Sequence, residues 1–351
     1  MFDAPLQALP PSNALIARHW APWVPAAALF VTVAMLVGSC GGSQNEVGLH
    51  SPTASLLPSP SPTIATSSPS PSPPKQRIER SLPMALEEAA AATSGGKLYV
   101  IGGFDAAGNS LRTVWVFDGK AWSAGPQLPI GLDHTSAAEL GGHVYVAGGH
   151  SFGRDSALVF RLDGRAWTKV ASLHHARGGH TLLATTSRLY VLGGNSVFAN
   201  VGPAEVYDPQ TGAWRDLSSL PVPRNHVSGF VLGSEVCAAG GRPPATARVD
   251  CYDTVSSRWV RLPNLPVPTS GAGATTLANG SAVVLGGQNA QETKIVTQVA
   301  WLNGTRAWRT EGAMLVPRHG FELAMFAGRA WACGGGSAPG LHPVATCTSV
   351  A

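Results

Sequence analysis

Residues 97–103 read Lys97-Leu98-Tyr99-Val100-Ile101-Gly102-Gly103, an apolar, β-branched run that stops on two glycines. Such a run has strand composition, and paired glycines supply backbone conformations that other residues resist. The signature returns five times, in HVYVAGG, RLYVLGG, SEVCAAGG, SAVVLGG and RAWACGGG, with the first glycine at Gly148, Gly193, Gly240, Gly286 and Gly334. Successive intervals are 46, 45, 47, 46 and 48 residues, so the chain is built on an internal repeat. After each of the first five pairs come a polar loop and another strand-like run (TVWVF, ALVFRL, AEVYD, ARVDCYD, TQVAWL). A turn then leads to Trp122, Trp167, Trp214, Trp259 or Trp308, and the unit closes on a segment such as LPIG, LPVPR or LVPRH. Asp118-Gly119, Asp163-Gly164 and Asn303-Gly304 are two-residue turns of the kind that join twisted hairpin strands, and Asn279-Gly280 plays that part between the first two strands of its unit.

Gly-Gly, Tyr, Tyr-Asp and Trp recurring at one period resemble the kelch repeat over residues 75–351. The resemblance implies an all-β fold, a six-bladed kelch-type β-propeller of four-stranded blades. A lone blade cannot cover its aromatic face, which requires a closed ring. The last unit ends after its third strand, whereas residues 75–81 precede the first unit at the place of an outer strand: Leu82-Pro83 lies 46 residues before Leu128-Pro129. The expectation is that this N-terminal segment completes the C-terminal blade.

Residues 1–39 read as an export signal. Val24 to Val37 is a 14-residue apolar run ending in Gly38-Ser39-Cys40, the length of a secretory apolar segment and short for a membrane span. Val37-Gly38-Ser39-Cys40 resembles the lipobox of bacterial lipoproteins, which implies lipidation at Cys40; an uncleaved anchor and a secreted protein are the alternatives. Of the 24 residues at 51–74, 19 are Ser, Thr or Pro and none is charged. Residues 40–74 therefore read as a disordered tether, its last 24 residues reaching about 75 Å at roughly 3.1 Å per residue. Together these describe an exported domain held outside the cytoplasm by a membrane lipid. Four further cysteines form two pairs, Cys237 with Cys251 and Cys333 with Cys347, each 14 residues apart and each spanning the Gly-Gly loop of its unit. Cross-strand disulfides are expected there, with buried thiols as the alternative.

Charged residues make up 13% of the chain and the net charge is +4, against roughly 25% charged in ordinary globular proteins. A nucleic-acid-binding face is excluded as a reading. In an up-and-down blade, the loop after the second strand and the loop leading into the first emerge on one face, the default binding surface. The lead-in loops carry His134, Arg177 with His180, Arg224 with His226, and Arg318 with His319; the first and fifth units have Glu87-Glu88 and Thr269-Ser270 instead. These seven basic and histidine side chains are the ligand-binding candidates, expected around one mouth of the central channel, where guanidinium groups suit carboxylates. The alternative is that Arg and His satisfy backbone carbonyls.

No HExxH, GxGxxG or phosphate-binding Gly-Lys-Ser/Thr motif occurs, and no cofactor or catalytic residue is assigned. His174, His175 and His180 lack a neighbouring thiolate or carboxylate in sequence, so no metal site is expected of them. All five tyrosines hold repeat positions, which argues against kelch-like copper oxidases resembling galactose oxidase. The functional expectation is a binding module for a carbohydrate or protein partner. The alternative is a carbohydrate epimerase or mutarotase resembling N-acetylneuraminate epimerase, using the same mouth with Glu87, Glu88 or Glu322; a spacer role is the third.

Overall fold

The paired glycines turn out to be where each unit meets the next. In all six pairs both residues are left-handed: the first has φ between +61° and +75°, the second between +90° and +104°. A Cβ on the first glycine would collide with the carbonyl oxygen of Leu132, Arg177, Arg224, Thr269, Arg318 or Leu86 in the following unit. The N–H of the second glycine donates to that same oxygen, at 2.7–3.0 Å in all six cases. Each unit is thereby stitched to its successor, and the last is stitched to the first through Gly335 and Leu86.

The computed structural model describes residues 75–302 and 306–351. The expected signal segment 1–39, the lipidation residue Cys40, the tether to residue 74 and the Asn303-Gly304 turn lie outside the described residues. The remainder forms six four-stranded antiparallel sheets, with one short hairpin, His150–Ser151 with Arg154–Asp155, in a loop. The sheets are the blades of the expected propeller. Their innermost strands are Ala90–Ser94, Ser136–Leu140, Gly178–Ala184, Ser228–Leu232, Gly273–Thr276 and Leu323–Phe326. These contact one another in sequence order, and the strand Ala90–Ser94 also meets Leu323–Phe326, closing the ring around a central channel.

The apolar core is divided into six clusters, one at each junction between blades. Phe117 of the first blade packs on Trp331 and Phe326 of the last, and Tyr145 of the second on Tyr207 of the third. Burial between blades, rather than within one, is what makes a single blade unstable alone. A second row of stitches runs along the outside. The indole N–H groups of Trp122, Trp167, Trp214, Trp259 and Trp308 donate to the carbonyls of Arg80, Pro126, Ala171, Ser218 and Pro263, each in the preceding unit, at 2.8–3.2 Å.

The strand Gln76–Glu79 pairs with Cys347–Val350, from Gln76 opposite Val350 to Glu79 opposite Cys347, and forms the outer edge of the last blade. Lys75 and Ala351 exchange backbone bonds beyond it, and the Leu82 N–H bonds the Ala345 carbonyl at 2.8 Å. The ring is closed without a covalent link, as the truncated last unit implied. Both expected disulfides are present, Cys237–Cys251 and Cys333–Cys347, directly opposed across the second and third strands of the fourth and last blades. Closing such short loops is worth about 3 kcal/mol each in the chain-entropy picture.

Removing residues 75–82 should strip the last blade of its outer strand and Trp122 of its acceptor. The expected loss is several kcal/mol, or about 10 °C in melting temperature for a ring of this size. A scanning-calorimetry midpoint unchanged by the deletion would show that closure lies elsewhere.

Candidate functional site

Three residues in each lead-in loop fix the geometry of the channel mouth. The first is buried: Leu86, Leu132, Arg177, Arg224, Thr269 and Arg318 are all at most 3% exposed. Two residues later the backbone turns left-handed, at Glu88, His134, Gly179, His226, Gly271 and Gly320, with φ between +49° and +64°. Their peptide groups form a belt around the mouth, in which N–H groups of Glu88, His134, Gly179, Gly271 and Gly320 donate to carbonyls of Gly320, Glu88, His134, His226 and Gly271 at 2.8–3.1 Å. The intervening position (Glu87, Asp133, Gly178, Asn225, Ser270, His319) pairs with the residue after each glycine pair (Phe104, His150, Asn195, Arg242, Gln288, Gly336).

These registers separate the sequence candidates. Arg177, Arg224 and Arg318 occupy the buried position, where two other blades carry leucine, and are core residues rather than the ligand contacts expected from the sequence. Arg177 pairs with Glu205 at 2.8 Å and bonds the Gly193 carbonyl; Arg224 pairs with Asp250 at 2.9 Å and bonds the carbonyls of Gly240 and Ala238. Arg318 donates to the carbonyls of Val316, Gly334 and Thr346, and burial pushes its pKa down to about 10. A guanidinium can be buried only when its donors are met, and in-blade carbonyls meet them.

The four histidines fall at three registers. His180 follows the left-handed position and is buried between blades, without a hydrogen-bond partner; desolvation, with Arg177 nearby, lowers its pKa to about 3. His319 precedes that position and lies beside Glu87 at 3.3 Å, with Nε2 donating to the Ala338 carbonyl at 3.0 Å. His134 and His226 share the left-handed register and reach the mouth together, their ring centroids 5.0 Å apart. Glu88 joins them, its Oε1 lying 3.8 Å from Nε2 of His134 and 3.9 Å from Nε2 of His226. Arg242, absent from the candidates, completes the group by donating to Nε2 of His226 at 2.9 Å and pairing with Glu292. Its signal was available: it stands immediately after a glycine pair, the register that faces the lead-in loops.

Burial disfavours the His134 cation, but Glu88 and Asp133 outweigh it and raise its pKa. Burial, with Arg242 and His134 nearby, drives the His226 pKa well below the ordinary value. Glu87, buried and next to Glu88, has its pKa pushed up to about 8. Elsewhere, His174 and His175 do find a carboxylate: both meet Asp216, at 2.8 and 3.3 Å, on the exposed outer part of the third blade. The sequence reading missed it because Asp216 lies some 40 residues away along the chain.

The repeat seen in the fold has a direct counterpart among known sequences. A family model, the KLHDC2/KLHL20/DRC7 Kelch-repeats domain, matches residues 66–241. The chain belongs to the kelch-repeat family. It is 32% identical to beta-scruin of Limulus polyphemus over 112 residues, which is 29% of this chain and 12% of that protein. It is 28% identical to kelch-like protein 25 of Xenopus tropicalis over 225 residues, 59% of this chain and 37% of that one. The matches therefore span well under half the length of these relatives. The solved structure of YjhT superposes on this kelch ring with a TM-score of 0.66 over 77% of this chain and 99% of that one, at 16% identity, so the fold is shared.

Below the mouth the kelch ring encloses about 270 Å³ lined by the innermost strands. Glu322 of the last blade reaches across this space. Its Oε2 accepts from the Ala91 N–H at 2.8 Å and the Ala137 N–H at 3.3 Å, and its Oε1 accepts from the Ser136 hydroxyl. One carboxyl thus ties the last blade to the first two. Desolvation dominates, over the hydrogen bond from Ser136, and raises its pKa from 4.5 to about 7.

A carboxyl whose folded pKa is raised contributes stability fully below its unfolded pKa and loses it as pH climbs through the folded value. The stability of the wild type relative to Glu322→Gln should therefore be greatest at pH 4.5 and decline up to about pH 7, by on the order of 2 kcal/mol. Parallel denaturant titrations across that range check this, and a flat difference would contradict it.

Proposed function

We propose that this kelch propeller is an exported, lipid-anchored module that captures a protein partner on its loop-bearing face. The observation that carries the reading is apolar and lies beside the mouth. Phe152 and Phe198, at the tips of neighbouring loops, are 75% and 93% exposed, with Val197 at 58%. The two loops are joined, the Val197 N–H donating to the Asp155 carboxylate at 2.9 Å. Exposed aromatics on two hydrogen-bonded loops are the composition that protein interfaces favour at their centres. Export and lipidation at Cys40 are supported by the apolar run, the Gly-Ser-Cys terminus and the Ser/Thr/Pro-rich, charge-free stretch 51–74 in the sequence.

Phe152→Ser with Phe198→Ser should abolish partner capture in proximity labelling at the surface of the native cell, with the melting temperature unchanged. The same neighbours recovered by both proteins would refute the platform. In the same cells, Cys40→Ser should remove lipid labelling and release the protein from membranes; a variant that stays bound would refute the anchor.

Turnover of a sugar acid is favoured by one further observation: Glu88, His134 and His226 line a cavity of about 270 Å³, and Arg242 is held against His226. Arg242 would hold a carboxylate and Glu88 or His134 would move a proton. The buried Arg224 and Arg318 are unsuitable probes of this chemistry, since their loss would disturb the core. Faster interconversion of the α and β anomers of N-acetylneuraminate, followed by proton NMR and abolished by Arg242→Ala, is the expected result; no acceleration by the wild type would dismiss the enzyme.

A further inference from the structure

We propose that the channel mouth is a binding site for one divalent first-row transition-metal ion, of zinc's type, held by Nε2 of His134, Nε2 of His226 and Oε1 of Glu88. The inference goes beyond the protein-capture reading and holds whether or not that reading does. Three independent features of the mouth lead to it.

The first is proximity of the right atoms. The three donor atoms lie within 4.8 Å of one another, with Glu88 at 3.8 and 3.9 Å from the two imidazoles. Donors around a four-coordinate zinc at about 2.1 Å stand roughly 3.4 Å apart. A closure of about half an ångström would bring Glu88 to that spacing from each imidazole, and the two imidazole nitrogens start within 4.8 Å, shifts within the reach of side-chain torsions. Two imidazoles and a carboxylate suit zinc and its neighbours rather than calcium or magnesium.

The second feature is the state of the rings. Nδ1 of His134 meets the Asp133 carboxylate at 2.7 Å, and Nδ1 of His226 meets Oδ1 of Asn225 at 2.5 Å. The Asn225 amide is fixed in that sense because its nitrogen donates to Asn200. Both Nδ1 atoms therefore carry hydrogen, which leaves each Nε2 to present a lone pair to the mouth when its ring is neutral. Arg242 reports one of these lone pairs directly, since a guanidinium can only donate and it contacts Nε2 of His226 at 2.9 Å. An imidazole oriented through its far N–H by a carboxylate or amide is the arrangement around metal-bound histidines.

Backbone strain is the third. Among the six left-handed positions of the belt, three are glycine and the other three are Glu88, His134 and His226. Holding a non-glycine residue there costs of order 1–3 kcal/mol. Glycine satisfies the belt's geometry in the remaining blades, so the fold itself does not require these side chains. The three positions where strain is retained are the three that supply the donor atoms.

Binding would displace Arg242 from His226, leaving the guanidinium on Glu292, with which it already pairs. Remaining coordination positions would open onto the channel, available to water or a ligand.

The test uses the full chain in detergent, free of any histidine tag, with Zn²⁺ followed by calorimetry and Co²⁺ by visible absorption. One equivalent of Zn²⁺ should bind, and Co²⁺ should give d–d bands of a nitrogen–oxygen site. His134→Gly, His226→Gly and Glu88→Gly should each weaken binding by about 100-fold while leaving the metal-free melting temperature unchanged or higher, because glycine relieves the strain. His134→Asn and His226→Asn, which also tolerate left-handed backbone, give the same readout if a glycine variant folds poorly. Asp133→Ala should cost about 10- to 100-fold through loss of ring orientation, and Arg242→Ala should tighten binding. Asp216→Asn, which disables the exposed His174–His175 pair, should bind as the wild type does. No binding at about 100 μM metal, or binding lost in Asp216→Asn but kept in His134→Gly, would overturn the proposal.

Discussion

A carbonyl oxygen from one blade sits where a side chain on the preceding blade would have to be. That contact, repeated six times, is the constraint on which the ring depends. It admits only glycine at the first position of each pair, and the second glycine's N–H converts the close approach into a hydrogen bond. The approach also sets the blade-to-blade spacing at the inner rim. The tryptophan indoles set it at the outer rim through the carbonyls of the preceding unit. Between these two seams lie the six apolar clusters that supply most of the driving force.

The belt of left-handed residues at the mouth follows from the same geometry. Each lead-in loop must turn sharply after its carbonyl accepts from the neighbouring glycine's N–H, and the turn projects one side chain toward the axis. Where that residue is glycine the mouth is open; where it is Glu88, His134 or His226 the axis receives a charge or an imidazole. Chemistry at the mouth is thus variable on a constant frame. The buried position two residues earlier shows the opposite behaviour: leucine, arginine or threonine fills it, and each is accommodated inside the blade. Arg177 and Arg224 do so through paired carboxylates and Arg318 through carbonyls and the Thr346 hydroxyl, without a carboxylate.

Register explains why the site was only half legible. The lead-in motifs Arg177-Gly178-Gly179-His180, Arg224-Asn225-His226 and Arg318-His319 look alike when read by composition. Aligned on the glycine that follows or replaces the histidine, they differ by single residues. One residue of slip moves an imidazole from the mouth to the buried junction between two blades (His180) or to the seam with the neighbouring loop (His319). Arg242 escaped for a related reason. It stands in a glycine-rich loop and belongs to no motif of its own, and becomes meaningful only when paired across the belt with Asn225. Asp216 is brought to His174 and His175 by sheet geometry that no local pattern contains.

Spacing of glycines, tyrosines and tryptophans determined the all-β class, the number of blades, closure by the N-terminal strand and both cysteine pairings. Each of these depends on periodicity or on neighbours within one hairpin, and a linear sequence records such relations directly. The tertiary structure decided which side chains share the mouth, which arginines disappear into the blades and which carboxyl ties the last blade to the first two. Those outcomes depend on contacts between blades some 45 or more residues apart, on the sign of a backbone torsion and on one-residue shifts of register. They exist only once the ring has closed and brought its six loops within hydrogen-bonding distance of one another.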